Sequence, residues 1–131
     1  MIQEAYVSFE TAKLLKEKGF DENTLMVYMS YGDLCKCNRY DSIRNSNYND
    51  ITKNYFECTA PTLQMAMKWL REEHNIFIEI STSIDLNGDY HFSYTILDKE
   101  CKYVRRGYTF FDWSYEDAVE AALEYCLEIL I

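Results

Sequence analysis

The sequence predicts an α+β fold, an antiparallel β-meander of three to four strands with three helices packed mainly on one face. Three segments space their apolar residues as one face of a helix does, and the segments between them alternate apolar and polar residues as strands do. Three of the predicted strands follow one another directly, which favours an antiparallel sheet. We expect residues 1–131 to form a single domain, because this length is typical of one.

The first predicted helix runs from about Phe9 to Lys18. Ser8 is a residue type that caps helix starts, and the acidic Glu10 suits the positive end of the helix dipole. Gly19 follows the last turn and can adopt the left-handed conformation in which helices commonly end. The predicted apolar face of this helix consists of Phe9, Ala12, Leu14 and Leu15.

The second and third predicted helices cover Pro61 to His74 and Tyr115 to the last residue. Proline suits the first turn of a helix, and Asn75 is a residue type that ends one. Ser114 and Asp117 have the spacing of a capping box, with Asp in place of the usual Glu. The third helix carries the clearest apolar stripe of the chain, which consists of Val119, Ala122, Leu123, Cys126, Leu127 and Leu130.

Four segments outside the helices alternate apolar and polar residues or are rich in residue types that favour strands. They are Leu25 to Tyr31, Ile76 to Ile84, Tyr90 to Leu97 and Tyr103 to Phe111. The last three form the predicted meander.

The dipeptide Asn87-Gly88 suggests a two-residue turn between the first two strands of this meander. A loop of that length would pair Ile80 with a polar residue and would set the isoleucine face beside the polar face of the next strand. A loop of three or five residues instead sets the isoleucines opposite Tyr94 and Ile96. We therefore predict an odd-length loop with Gly88 in a left-handed or bulge position.

The segment from Gly32 to Asn54 is rich in asparagine and contains Tyr40 and Tyr48. Loops of this length are uncommon unless they are functional or contain short strands of their own. One interpretation is an elaborated crossover with a short hairpin inside. The other is a recognition surface, since tyrosine offers a flat apolar ring with a polar end. Under that interpretation Tyr40 and Tyr48 are candidate partner-binding residues.

The charge of the chain limits its partners. Its 13 Lys and Arg against 22 Asp and Glu give a formal net charge of −9. Such a surface repels nucleic-acid phosphates and anionic membranes, so we predict no direct binding to either. Apolar stretches are far shorter than the roughly 20 residues that a membrane-spanning helix needs. The start of the chain lacks the basic and apolar regions of a secretory signal, which favours the cytoplasm.

The five cysteines predict ordinary reduced thiols. Their number is odd, and Cys35-x-Cys37 is one residue too tight for the usual zinc-knuckle spacing. His74 and His91 are the only imidazoles, and the familiar phosphate-binding, dinucleotide-binding, serine-hydrolase and zinc-protease motifs do not occur. We therefore predict no metal, no cofactor and no catalytic residue. An enzyme stays open as an alternative if a pocket holds either histidine beside a cysteine or a carboxylate.

The third predicted helix carries an anionic stripe beside its apolar one. Glutamate recurs there at every fourth position, and residues 107–131 contain no Lys or Arg. Like charges at this spacing repel one another, and the last two also lie near the negative end of the helix dipole. This acidic ridge consists of Glu116, Glu120, Glu124 and Glu128.

Several interpretations of the acidic ridge stay open. Basic residues elsewhere in the chain, such as Lys13 or Arg105, can neutralise it, or it can dock a partner protein with a basic surface. In one version of docking it mimics a row of DNA phosphates, because four helical residues rise about 6 Å, which is near the phosphate spacing. A homodimer is a further alternative, since Ala121, Tyr125 and Ile129 widen the apolar stripe.

Three blocks of the sequence stand out, Tyr6 to Phe20 (YVSFETAKLLKEKGF), Ala60 to Glu72 (APTLQMAMKWLRE), and Ser114 to Glu128, which begins with SYEDA and ends with YCLE. They resemble a family of small proteins of phages and mobile elements of gut Bacteroidales. They cover about a third of the chain and span its length. The family has no assigned activity, so the resemblance implies a phage or prophage origin and the cytoplasm of a bacterial host cell, and it carries over no catalytic residues.

These features together lead us to expect a small acidic protein-binding module without catalysis. One alternative is an anti-defence protein or DNA mimic that inhibits a nucleic-acid-binding protein of the host. Another alternative is a structural protein associated with the virion.

Overall fold

The computed structural model of the protein describes residues 1–37, 42–46, 56–107 and 113–131. The α+β class is confirmed by three helices and two antiparallel sheets. The predicted antiparallel meander is present as one of two three-stranded sheets, so the described residues form six strands, three more than the meander itself. The chain divides into two compact units, Met1–Met65 and Ala66–Ile131.

The first unit contains one helix and one small sheet. Its elements are α1 (Phe9–Glu17), β1 (Met26–Met29), β2 (Leu34–Lys36) and β3 (Phe56–Thr59), and the sheet order is β2-β1-β3. The predicted cap of α1 is confirmed, since the Ser8 side chain accepts a hydrogen bond from the backbone N–H of Thr11. Gly19 ends the helix with a φ of 98°, as predicted. The core of the sheet is built on Val27, Ile43 and Phe56.

Strand β2, at the start of the asparagine-rich segment, forms a hairpin with β1 before it, so this is not the hairpin predicted inside the segment. It pairs antiparallel with β1 through a tight turn in which Gly32 has a φ of 93° and donates its N–H to the carbonyl of Met29. Strand β3 was missed, because four residues, Phe56–Thr59, are too short to show a clear alternation. Its place in the sheet depends on pairing with β1, about thirty residues earlier in the chain.

Asn45 is a structural residue that joins three parts of the first unit. Its side-chain N–H donates to the carbonyl of Phe20 at 2.7 Å, and its side-chain oxygen accepts from the backbone N–H of Thr59 at 2.9 Å. The side chain is buried. Because buried backbone groups need partners, Asn45 stabilises the first unit by satisfying one group after α1 and one in β3.

The second unit contains most of α2 (Leu63–His74), then β4 (Phe77–Ile84), β5 (Tyr90–Leu97), β6 (Tyr103–Gly107) and α3 (Tyr115–Tyr125). Thr62 caps α2 by accepting from the N–H of Met65, so this helix starts two residues after Pro61. Asn75 ends it with a φ of 55°, as predicted. The predicted capping box of α3 is confirmed in both of its hydrogen bonds between Ser114 and Asp117.

The end of the third helix differs from the prediction. Residues Cys126–Leu130 continue α3 as a π-helical segment, in which the N–H of Ile131 donates to the carbonyl of Cys126. The apolar stripe is nevertheless confirmed, since Val119, Leu123 and Leu127 are fully buried. The stripe therefore packs as predicted, while the regular α-helical spacing of the glutamates ends before Glu128.

The β4–β5 register confirms the predicted odd-length loop. Ile78 pairs with Ile96 and Ile80 with Tyr94, and the loop between the strands has five residues, Asp85–Asp89. Gly88 lies in the left-handed region with a φ of 85°. One face of the meander therefore holds the isoleucines together with Tyr94 and Ile96, and α3 packs on this sheet.

The two hairpin loops of the second sheet share one design that the sequence did not reveal. In each, an aspartate at the first position accepts with its carboxylate the backbone N–H groups two and four residues later. The first loop is Asp85–Asp89 and the second is Asp98–Lys102. The fourth residue of each loop is left-handed, Gly88 in the first and Cys101 in the second, where φ is 60°.

This shared design predicts opposite effects for two substitutions. An L-residue with a side chain is strained by roughly 1 kcal/mol in the left-handed region. Cys101→Gly should therefore raise the free energy of unfolding by about 1 kcal/mol, and Gly88→Ala should lower it by about as much. A Cβ at Gly88 meets no atom within 4 Å, so the effect there is one of backbone conformation. Denaturant unfolding measures both, and Cys101→Ser is the matched control with no expected change.

The role of Asn45 predicts a large effect of its removal. Asn45→Ala leaves the carbonyl of Phe20 and the N–H of Thr59 without their partner in a buried site. We expect a loss of about 3 kcal/mol in the free energy of unfolding, measured with denaturant. Asn23→Ala is the control, because Asn23 makes an exposed hydrogen bond with Arg44. A similar, small loss in both variants would contradict the structural role.

Candidate functional site

The acidic ridge lies on the exposed side of α3 and of the segment that follows it. Glu116, Glu124 and Glu128 are exposed, and Glu120 is half-buried. Glu120 and Glu124 each have an interaction partner. Within the part of the chain that the structure describes, no ion pair involves Glu116 or Glu128. The open carboxylates are therefore at the two ends of the ridge.

One of the basic residues expected to neutralise the ridge lies along the flank of α3. The guanidinium carbon of Arg105 lies 4.4 Å from the ring centroid of Tyr125, and its Nε donates to the Tyr94 hydroxyl at 3.4 Å. The hydrogen bond to Tyr94 raises the pKa of Arg105. These contacts place the arginine between the Tyr125 ring and the Tyr94 hydroxyl.

Tyr94 can lie over the neighbouring strand because residue 107 is glycine. A Cβ at Gly107 would be only 2.0 Å from the Tyr94 ring, which no side chain tolerates. The Tyr94 ring also stacks on Trp113, with centroids 6.3 Å apart. This aromatic layer lies at the start of α3 and supports the first turn of the helix.

The negative charge of the chain is concentrated in the second unit. Residues 66–131 contain thirteen Asp and Glu against six Lys and Arg, which is a net charge of −7 out of the −9 of the whole chain. Residues 75–98, which include β4 and β5, contain no Lys or Arg, and neither do residues 107–131. A basic partner is therefore attracted to this unit more than to the other.

The two tyrosines of the asparagine-rich segment, Tyr40 and Tyr48, lie outside the described residues. Their role in partner binding stays a prediction from the sequence.

His74, one of the two histidines, lines a cleft of about 450 Å³ in the second unit. Asp98 and Glu100 line the same cleft, together with apolar residues such as Leu97 and Leu130. This volume is in the range of small-ligand pockets. The Asp98 carboxylate is occupied by two backbone N–H groups of its loop, however, and Glu100 pairs with Lys102.

The cleft brings together the residue types of an acid–base pair but does not join them. The His74 ring meets the edge of Trp69, with centroids 4.8 Å apart. No hydrogen bond within the described ranges connects the His74 imidazole to a carboxylate or a thiol. A general acid–base pair needs that contact or a single bridging water.

His91, the second histidine, lies in β5 two residues after the first hairpin loop. Its Nε2 lies 2.7 Å from Oδ2 of Asp85, while Oδ1 of Asp85 accepts from the N–H groups of Asn87 and Asp89. The hydrogen bond to His91 holds the pKa of Asp85 below its usual range, and the backbone donors lower it further. The Asp85 carboxylate therefore joins the loop to the start of β5.

Two of the five cysteines, Cys58 and Cys126, are buried. Burial raises the pKa of Cys58 and of Cys126 to about 12, so both remain protonated and unreactive at neutral pH. Cys126 is fully buried in the apolar stripe, as predicted. Across the described residues, no three His, Cys, Asp or Glu side chains are grouped so that they could hold a metal ion.

The chain matches no protein-family model, no curated protein and no solved structure. In the described part of the molecule, no helix combines the length and the apolar character needed to cross a bilayer.

The Asp85 site predicts a pH-dependent hairpin. Because its pKa is lowered in the folded protein, the ionised carboxylate stabilises the loop above the ordinary aspartate pKa of about 4. This contribution is lost as the pH falls through the lowered value. Amide hydrogen exchange of Asn87 and Asp89 should therefore quicken in acid, relative to the intrinsic rate, and Asp85→Asn should remove that pH dependence. Asp89→Asn should keep it.

Proposed function

We propose that this protein is a non-catalytic protein-binding module that docks a basic surface of a partner protein on the acidic face of α3. The observation that carries the proposal is the pair of exposed carboxylates, Glu116 and Glu128, at the ends of a helical segment without Lys or Arg. The net charge of −7 on the second unit extends the same field over its surface. Such a field steers a positively charged partner and accelerates its association.

The stability rules that the helix violates support a role in binding. Like charges four residues apart repel, and Glu128 lies near the negative end of the helix dipole. Neither arrangement stabilises the folded chain. A partner with lysines or arginines would relieve both, so the unfavourable local charge becomes a favourable contact on binding.

A DNA mimic that inhibits a nucleic-acid-binding protein is a second candidate function. It is favoured by the α-helical spacing of Glu116, Glu120 and Glu124, since four residues of an α-helix rise about 6 Å. The π-helical segment interrupts this spacing before Glu128. The mimic would therefore present only a short anionic row, in which Glu120 and Glu124 already have interaction partners in the chain.

The proposal also includes where the partner is found. The resemblance of residues 6–20, 60–72 and 114–128 to small phage and mobile-element proteins supports a partner in the cytoplasm of a bacterial host.

Salt and charge variants test the proposed function. The double variant Glu116→Gln and Glu128→Gln should retain far less of any partner from a Bacteroidales lysate at low salt, with association slowed about tenfold. Raising the salt to 0.5 M should likewise reduce the amount of partner that the wild-type protein retains, because salt screens the attraction between the charges. Glu4→Gln and Glu22→Gln, two exposed glutamates of the first unit, form the matched control.

The outcomes separate the two candidate functions. Retention that is unchanged in the double variant and in high salt would contradict docking on α3. If the retained partner is a DNA-binding protein, a short DNA duplex can be added as a competitor. Release of the partner by the duplex supports the DNA mimic, and a partner that stays bound supports docking on another basic surface.

A further inference from the structure

The second sheet carries an apolar surface that α3 does not cover. Along β5 the inward-facing side chains become steadily more exposed, from fully buried Ile96 and 5% exposed Tyr94 through half-buried Phe92 to Tyr90, which is 65% exposed. Ile84, directly opposite Tyr90 on β4, is 61% exposed. The apolar face of the hairpin thus extends beyond the structure that packs on it.

The first turn of α3 marks the edge of this surface. The ring of Tyr115 meets the ring of Phe92 edge-on, with centroids 6.0 Å apart, and Tyr115 is itself exposed. Leu86, in the loop of the same hairpin, is fully exposed. We call these residues the hairpin patch, which consists of Ile84, Leu86, Tyr90 and Tyr115. Large apolar side chains grouped in the open are typical of an interaction site.

The charge around the hairpin patch identifies the kind of partner. Each part of the patch has an acidic neighbour in sequence, Asp85 beside Ile84 and Leu86, Asp89 beside Tyr90, and Glu116 beside Tyr115. Asp85 is paired with His91, whereas Asp89 and Glu116 are exposed. Neither the hairpin nor α3 contains Lys or Arg. A second copy of this chain would bring like charges together, so the surroundings favour a basic partner.

We propose that the hairpin patch is the anchor for a basic amphipathic segment of another protein, with apolar side chains on the patch and lysines or arginines on its acidic rim. This inference rests on the proposed function for the charge of the partner and adds the apolar centre of the contact. An apolar centre with a charged rim is the usual anatomy of a protein interface.

The hairpin patch is held ready for binding by the loop beneath it. The carboxylate of Asp85 accepts from the N–H groups of Asn87 and Asp89 and bonds His91, and Gly88 supplies the left-handed turn. Leu86 lies inside this bonded loop. A partner therefore has less conformational entropy to remove from the hairpin when it binds.

Three synthetic helical peptides are the probes for this inference. The first has a leucine stripe and lysines, the second has the same stripe with glutamates, and the third has the lysines with serines in place of leucine. Methyl NMR of the full chain, labelled at Ile and Leu, should show the first peptide shifting the signals of Ile84 and Leu86. The other two should bind at least about tenfold more weakly, because the second lacks the positive charges and the third lacks the apolar stripe.

Variants of the hairpin patch test the same site. Ile84→Ser with Leu86→Ser should weaken the lysine–leucine peptide about tenfold or more, as expected for apolar side chains at the centre of an interface. Leu25→Ser is the matched control, because Leu25 is 57% exposed in the first unit and should bind nothing. The amide spectrum of the second unit shows whether the double variant keeps its fold. If it does not, Tyr115→Ser, outside the hairpin, replaces it.

The outcomes distinguish this inference from the proposed function. Unchanged binding in the patch variants, with weaker binding in the Glu116→Gln and Glu128→Gln variant, overturns the anchor and leaves docking on α3 standing. The reverse pattern supports the apolar anchor, removes Glu116 from its acidic rim and contradicts the acidic docking face. Equal binding of the glutamate–leucine peptide overturns a basic partner. Shifts of Ile84 and Leu86 that grow with protein concentration alone would make the occupant a second copy and would overturn the inference.

Discussion

The pairing register of the β4–β5 hairpin determines the chemistry of both surfaces of the second sheet. Its five-residue loop sets Ile78 opposite Ile96 and Ile80 opposite Tyr94, so that one face is mostly apolar and the middle of the other face is polar. A shift of one residue would exchange the two faces. The packing of α3 on this sheet, and the apolar side chains left open at its tip, both follow from this register.

The hairpin tip and the acidic ridge both lie in the second unit, and both leave groups exposed that a partner could cover. The aromatic contact between Phe92 and Tyr115 joins the hairpin to the first turn of α3, where Glu116 begins the ridge. Arg105 lies over the ring of Tyr125 at the flank of the helix and donates to the Tyr94 hydroxyl. The second unit therefore combines open apolar side chains with a strong negative field. That combination is costly for a chain alone and favourable for one that meets a basic, apolar partner.

The first unit shows why an asparagine-rich stretch is ambiguous in a sequence. The stretch from Gly32 to Asn54 suggested either a concealed hairpin or a recognition surface, and the structure places strand β2 at its start and a buried Asn45 further on. Asn45 bonds Phe20 and Thr59, which lie 25 residues before it and 14 after it. A single asparagine in a polar run carries no signal of such distant partners, and Tyr40 and Tyr48 remain sequence predictions.

Local chemistry determined the helix caps, the glycine and asparagine helix ends, the apolar stripe of α3 and the odd loop of the hairpin. Each of these depends on residues only a few positions apart, so the sequence contains the whole interaction. Only the tertiary structure decided the sheet of the first unit, β2-β1-β3, the π-helical end of the last helix and which apolar residues are covered. Trp69 is buried and Tyr90 is exposed although both belong to apolar patterns. Burial is set by residues far away in the chain, and no local pattern records where they pack.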